Sequence, residues 1–431
     1  MHNKVLLFCL DALCTQDLTY MKTLPNFSKV ISQGSLVKHV EPVYPSLTYP
    51  NHCSIITGNS VAKHGVAHNE IVEVNCDDAP WYTLKSQIKC DTLLDKASQH
   101  GLSTCSITWP VSGGANYTFN LPMIVPIAYQ GDNAQQFYEN NATQALIDRY
   151  FWRYEHYLVG ENRNLDEFTM AVSLDILKDY GQCDIMVIKM CDLDTVKHVN
   201  GVENEAVHAQ LRKHDQQLGI LIEALKRYGD YEHTNIVILG DHGQADVKRH
   251  INFNLVLKDK GLLTVDENNQ LKDWQAYCHS CAMSAWIEVK DHNPQLIAKV
   301  ATVLNEIKEE PQYNIERVYT KQEALTLFGL DNEHIDFVLE AKEPMSFSAT
   351  LAGEDLFKEY LKPGWHYSLA SHGYLPSKDE TTMFIACGPN VKQGVVIERS
   401  SILNDAPTMA KMLGFELTNV DGKSWESLLK E

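Results

Sequence analysis

Residues 5–11 read Val5-Leu6-Leu7-Phe8-Cys9-Leu10-Asp11. Six apolar residues without alternation suit a parallel strand buried on both faces, and the acid falls where that strand would end. Residues 184–190 and 235–239 repeat the continuous apolar pattern, and 103–108 gives a shorter version. Helix-spaced stretches lie between them at 24–33, 92–99, 165–180 and 203–228, with Gly34, Gly101 and Gly181 as stops for the first three. Strands alternating with helices in this way predict an α/β fold with a doubly wound, mainly parallel sheet. After about residue 250 the pattern becomes mixed, with a helix at 294–309 and several Pro and acidic clusters. Buried-strand character returns at 382–387, followed by a closing helix at 406–413. At 431 residues the chain exceeds the usual single-domain size. The expected organisation is a core of residues 1–249 and 366–431, with a smaller α+β cap inserted at 250–365.

The formal net charge of −19 argues against a nucleic-acid polymer or an anionic membrane as the main partner. A phosphorylated substrate would need local positive charge, which a metal site supplies. No run of about 18 apolar residues suggests a membrane span. The run at 5–10 is too short for a signal-peptide core and lacks a small-residue cleavage site. The 11 cysteines are unevenly spaced and lie mostly in apolar runs, which suits reduced, buried thiols and a cytoplasmic location. The glycosylation patterns at Asn116-Tyr117-Thr118 and Asn141-Ala142-Thr143 then carry no weight. Cys278-His279-Ser280-Cys281 fits a redox pair, half a zinc knuckle, or plain packing beside a strand expected at 282–289.

Function in open α/β sheets collects at the carboxyl ends of the strands. Asp11 follows 5–10. Asp192, Asp194 and His198 follow 184–190. Gly240-Asp241-His242-Gly243 follows 235–239, and Ser371-His372-Gly373 precedes 382–387. Asp194 and His198 lie four apart, on one face of a helical turn. Mixed carboxylate and imidazole donors suit zinc, or less specifically manganese or iron. A further segment, Ser46-Leu47-Thr48-Tyr49-Pro50-Asn51-His52, leads into a helix expected at 51–57 and ended by Gly58. The Thr48 hydroxyl would sit near that helix's N-terminus, where free N–H groups favour an anion. A free alcohol is a poor nucleophile and needs activation. Two bound cations would lower its effective pKa and stabilise charge on the leaving group or the attacking water.

The chain resembles the alkaline phosphatase superfamily, in its nucleotide pyrophosphatase/phosphodiesterase branch. The resemblance rests on Thr48-Tyr49-Pro50-Asn51-His52, Thr57-Gly58, His64-Gly65, Asn69, Trp109-Pro110, Asp194 with His198, Gly240-Asp241-His242-Gly243, His372-Gly373-Tyr374 and Gly388-Pro389. It implies two divalent metal ions, most simply zinc, with manganese as the alternative. One would be held by Asp11, Thr48, Asp241 and His242, the other by Asp194, His198 and His372. It also implies a phospho-threonine intermediate at Thr48, with Asn69 and the Thr48 N–H binding a phosphoryl oxygen. The substrate implied is a small phosphate ester, a nucleotide by preference. Tyr49 and Trp109 are candidate walls for its base, or core packing.

The resemblance departs from the branch at Cys191-Asp192-Leu193-Asp194, where Glu-Pro-Asp is usual, and at Lys197-His198, where Gly-His is usual. Asp192 is then either an outer partner of the metal site or a helix cap. The cap carries little recognisable similarity, so the leaving group is not legible. A phosphonoacetate-type hydrolase is an alternative that would require lysines such as Lys63 or Lys197 at the site. A metal-binding sensor without turnover is another. No arginine beside Thr48 clamps a phosphate dianion, which disfavours a phosphomonoesterase.

Overall fold

The computed structural model describes residues 2–76, 79–123, 132–158, 164–342, 344–351, 356–358, 368–378 and 381–431. Eight strands form the central sheet in the order Val396–Ser401, Ser35–Glu41, Thr382–Cys387, Thr234–Leu239, Lys4–Leu10, Ile185–Met190, Thr104–Ile107, Phe119–Leu121. Every neighbouring pair is parallel except the two made by Thr382–Cys387. Lys4–Leu10 lies at the centre, with Leu6 opposite both Met186 and Ile236.

The pleat of that strand explains its continuous apolar run. Val5, Leu7 and Cys9 join one buried cluster, while Leu6, Phe8 and Leu10 join another on the opposite face. The first cluster includes Cys53, Leu93 and Met409, from helices Thr48–Thr57, Leu93–Gln99 and Asp405–Met412. The second includes Phe27, Val172 and Leu218, from helices Pro25–Gln33, Leu165–Tyr180 and Glu205–Tyr228. The sheet is therefore covered on both faces. Helix ends follow side-chain caps: Asn164 accepts from Glu167 N, and Asn204 accepts from the N–H groups of Ala206 and Val207. The latter cap starts its helix at Glu205 rather than at residue 203.

The segment expected to form the cap holds a four-stranded antiparallel sheet, in the order Ala276–Cys281, Ser284–Val289, Phe337–Ala341, Ile315–Thr320. Helix Pro294–Glu309, capped by Asn293, buries Val300, Leu304 and Ile307 in a cluster with Ile287 and Leu339. The other face turns toward the core: Cys281, Trp286 and Val338 belong to the core cluster. The proposed boundary at 365–366 lies outside the described residues.

Cys278 and Cys281 lie within one strand of the cap hairpin, not ahead of it, and the following strand starts at Ser284. Three residues apart on a strand, their side chains point to opposite faces. Cys278 belongs to the cap cluster and Cys281 to the core cluster. A redox pair or half a zinc knuckle is excluded by that arrangement, and the packing reading holds.

Candidate active site

Helix Thr48–Thr57 begins at Thr48 itself, with Leu47 as N-cap and Gly58 closing it in the left-handed region. Pro50 occupies the third position, where its missing N–H leaves no intrahelical bond unmade. Asn51 fixes the entry: its Oδ1 accepts from Val43 N at 2.7 Å and its Nδ2 donates to Leu47 O at 2.8 Å. The Thr48 side chain is thereby held at the carboxyl edge of the sheet, with Oγ1 3.1 Å from His242 Nε2.

Asp11 and Asp241 end the neighbouring strands Lys4–Leu10 and Thr234–Leu239, each with one hydrogen-bonded oxygen and one without a hydrogen bond, the latter on Asp241 lying 3.3 Å from His52 Nδ1. Asp11 Oδ2 pairs with Lys189 Nζ at 2.6 Å, and Asp241 Oδ1 accepts from Ala12 N at 3.0 Å. Asp11 Oδ1 and Asp241 Oδ2 are buried without a hydrogen-bond partner, 3.5 and 3.3 Å from His242 Nε2. Burial first, and then the Asp241 carboxylate, push the Asp11 acid well above its ordinary range, against the pull of Lys189. Burial would raise Asp241 too, but His242 and His52 hold it below the usual carboxylate range. Crowded carboxylates with free lone pairs beside an imidazole nitrogen form a cation-shaped donor set.

A second group adjoins the first. Asp194 Oδ1 lies 3.3 Å from His198 Nε2 and 3.9 Å from His372 Nε2, and the His372 ring stacks on His242 at 3.9 Å. All three imidazoles are oriented through Nδ1. His198 Nδ1 donates to Ala370 O at 2.7 Å, His372 Nδ1 to Ser46 O at 2.9 Å, and His242 Nδ1 to Gly243 O at 3.1 Å. Each Nε2 is left facing the carboxylates, the arrangement that fixes the tautomer of metal-binding histidines. Burial drives His372 down to about 3, so it is a neutral donor at ordinary pH.

His372 reaches the site because Thr382–Cys387 runs antiparallel: the loop before that strand, rather than after it, lies at the carboxyl edge of its neighbours. Gly373 makes the approach possible. Its φ of 93° is left-handed, and a Cβ there would fall 2.0 Å from Cys281 O.

Asn69 sits beside Thr48, its Oδ1 accepting from Tyr49 N at 2.9 Å, which orients its amide. The loop carrying it is tied to the cap hairpin by His68, whose Nε2 donates to Ser280 O at 2.9 Å.

For Tyr49 and Trp109 the sequence allows base-stacking walls or core packing, and the structure sets both in the core. Both rings are buried, Trp109 packing edge-on against His52 at 4.8 Å. Apolar contact with the sheet wins over exposure, so neither presents a face to a ligand. Trp81, which sequence reasoning missed, is half-buried and edge-on to Tyr49. Asp192 opens helix Asp192–Asn200 and pairs with Lys213 at 3.2 Å, so it anchors the helix that carries Asp194 and His198. Lys197 is buried and bound to Asp17 at 2.7 Å and Ala12 O at 2.9 Å. Lys63 pairs with Asp421. Sequence reasoning also missed Lys189, hidden in an apolar run, and Gln244, which donates to the Asp194 carboxylate.

The model of the type I phosphodiesterase / nucleotide pyrophosphatase family matches residues 5–375. The chain belongs to that family. Rat ectonucleotide pyrophosphatase/phosphodiesterase family member 1 is 26% identical over 264 residues, covering 59% of this chain and 26% of the relative. The chain thus spans about a quarter of that relative's length. Family member 7 of the rat is 20% identical over 415 residues, covering 92% of this chain and 80% of its own. Murine ectonucleotide pyrophosphatase/phosphodiesterase 5, solved as an inactive variant in complex with AMP, has the same fold. Its TM-score is 0.70 at 18% identity, over 100% of both chains. The alkaline phosphatase-like α/β fold of the family is the fold described above.

Proposed function

We propose that this protein is a two-metal hydrolase of phosphodiester or pyrophosphate bonds, acting on a nucleotide through a phospho-Thr48 intermediate. The observation that carries the reading is Thr48 Oγ1 at 3.1 Å from His242 Nε2, beside two buried, unpartnered carboxylate oxygens. Family membership supports the reaction class, and AMP in the murine relative supports the nucleotide.

Asp11, Asp241, His242 and Thr48 would hold one divalent ion, and Asp194, His198 and His372 the other. The donor set fits zinc, with manganese as the alternative. When bound, the ions supply charge that lowers the hydroxyl pKa and neutralises charge developing on the phosphoryl oxygens.

The chain's own residues do the rest. The start of helix Thr48–Thr57 aims Oγ1 at phosphorus and offers the Thr48 N–H to a phosphoryl oxygen. Asn69, with Oδ1 committed to Tyr49 N, keeps its Nδ2 donors for the same oxygen. Oγ1 gives up its proton to solvent and bonds to phosphorus as the ester or pyrophosphate P–O bond breaks, and the leaving group departs with the electron pair. Water then attacks the phospho-threonine, which returns the hydroxyl and releases the phosphorylated half.

A phosphonate hydrolase needs cationic side chains for a carboxylate, and both lysines that could serve, Lys63 and Lys197, are engaged elsewhere. A reducing, cytoplasmic setting is our proposal from the cysteines, all of which are unpaired. Among the described residues no helix is long and apolar enough to cross a membrane.

The test is hydrolysis of bis-p-nitrophenyl phosphate, a dinucleotide and a nucleoside triphosphate. The assay would compare protein stripped by a chelator with protein reloaded with zinc or manganese. Metal-dependent release from at least one of them is expected. Absence of release under every metal would overturn the reading.

A further inference from the structure

Among the described residues, one cluster outside the catalytic constellation brings metal-ligating side chains together. It is built from three separate elements of the cap. His279 comes from strand Ala276–Cys281, Glu288 from the adjacent strand Ser284–Val289, and His334 from the loop that leads into Phe337–Ala341. The register places Tyr277 opposite Glu288 and His279 opposite Trp286. His279 and Glu288 therefore project from the same face of the hairpin, one diagonal step apart. His279 Nε2 lies 2.7 Å from Glu288 Oε2, and His334 Nδ1 lies 2.9 Å from the same oxygen. The donor atoms lie within 4.8 Å of one another, His279 is buried, and Glu288 and His334 are half-buried.

We propose that His279, Glu288 and His334 form a third divalent-metal site, zinc by its donor set, separate from the catalytic pair. Two imidazoles and one carboxylate are the ligand complement of three-coordinate protein zinc sites, which leave a fourth position for water. In the present geometry the two imidazole N–H groups share one carboxylate oxygen. To coordinate through these nitrogens each neutral imidazole carries its proton on the other ring nitrogen, so binding exchanges tautomers and releases no net proton from the two histidines. Bond lengths of about 2.0 Å at tetrahedral angles would widen the nitrogen–oxygen separations to roughly 3.3 Å. Of that movement, about 0.4 Å falls to His334 on its loop, while His279 and Glu288 part by about 0.6 Å through side-chain rotation on their strands.

Such a site would have a structural consequence. It pins both strands of the hairpin to the loop before Phe337–Ala341. The same hairpin is bonded to the catalytic loops: Ser280 O accepts from His68, Met283 N donates to His372 O at 2.9 Å, and Ser284 Oγ donates to Gly373 O. The ion would stiffen the part of the cap that positions Asn69 and His372, with no contact to substrate.

The proposal does not depend on the proposed reaction. The full chain, stripped of metal, is titrated with zinc against a chromophoric chelator, and bound metal is counted by elemental analysis after gel filtration. Wild-type protein is compared with His334→Ala and Glu288→Gln, and separately with His372→Ala. The expected result is that His334→Ala and Glu288→Gln each bind one ion fewer per chain than wild type, at unchanged secondary structure by circular dichroism. His372→Ala would keep the ion that these variants lose, so failure of the catalytic pair would register separately. Equal stoichiometry in wild type, His334→Ala and Glu288→Gln would overturn the proposal and leave the cluster a proton-held clasp. If His334→Ala misfolds, Glu288→Gln, which keeps the side-chain shape, decides the same question.

Discussion

Lys189 Nζ lies 2.6 Å from Asp11 Oδ2, and both groups are buried beneath the candidate metal site. The lysine stands opposite Cys9 on the neighbouring strand, so its side chain rises on the face that Asp11 completes. Its other contacts, Met123 Sδ and Cys191 Sγ at 3.2 Å, are weak acceptors, so Asp11 is its main counter-charge. Removing one partner of a buried pair strands the other charge, at a cost of about 3–5 kcal/mol. A dication beside Asp11 would supply the missing compensation. Lys189→Met is therefore expected to lower the stability of metal-free protein by more than that of metal-loaded protein. Urea unfolding of both forms measures the difference. An equal loss in the two would show that no cation shares Asp11.

Thr48 and its helix make a second expectation. Thr48→Ala removes Oγ1 but leaves Asp11, Asp241 and His242 in place, so bound metal should stay the same. Turnover should fall by at least about a thousandfold, because an activated nucleophile is replaced by nothing. Thr48→Ser should keep a measurable rate. Steady-state kinetics with metal analysis of the same samples decides it, and an alanine variant within about tenfold of wild type would remove Thr48 from the reaction.

The bond from His68 to Ser280 O joins the loop that carries Asn69 to strand Ala276–Cys281, and His68 Nδ1 accepts from Glu70 N at 3.0 Å on the other side of Asn69. His68→Ala loosens that loop without touching a metal ligand. Displacement of a binding group by about 1 Å can cost about a hundredfold, so kcat/KM should drop by roughly ten- to a hundredfold. Metal content should be unchanged. If activity is retained in full, the His68 bonds do not position Asn69.

Much of this was legible in the sequence, for identifiable reasons. Strands buried on both faces have no polar alternation, so Lys4–Leu10, Ile185–Met190 and Thr234–Leu239 stood out, together with the acids at their ends. The same feature concealed direction. Thr382–Cys387 reads like its neighbours, and only the register shows it antiparallel, which is what brings His372 from the preceding loop to the site. Lys189 was lost inside an apolar run because its partner, Asp11, is remote in sequence. Tyr49 and Trp109 stayed open between stacking and packing because an aromatic next to such a motif satisfies both equally well until burial is known. The mixed pattern of the cap gave no periodicity from which the His279–Glu288–His334 juxtaposition could be read.

Buried histidines set the acid limit of the fold. Burial drives His64 down to about 3, and His68 and His214 to about 4, from an ordinary value of 6.5. A histidine whose folded pKa is depressed stays neutral in the native state while the unfolded chain takes up a proton. Its contribution is fully present above about pH 6.5 and is lost as pH falls toward the folded value. At pH 5.5 each of the three should cost about 1 kcal/mol relative to pH 7.5. The depressed carboxyls of Asp194 and Asp241 act in the same direction only at much lower pH. The metal-free urea midpoint of wild type should therefore lose more between pH 6.5 and 4 than that of a variant lacking one of these histidines. His214→Gln, in the long helix away from the catalytic site, should flatten the slope by about one proton. Equal slopes in wild type and His214→Gln would show that His214 is charged in the folded state.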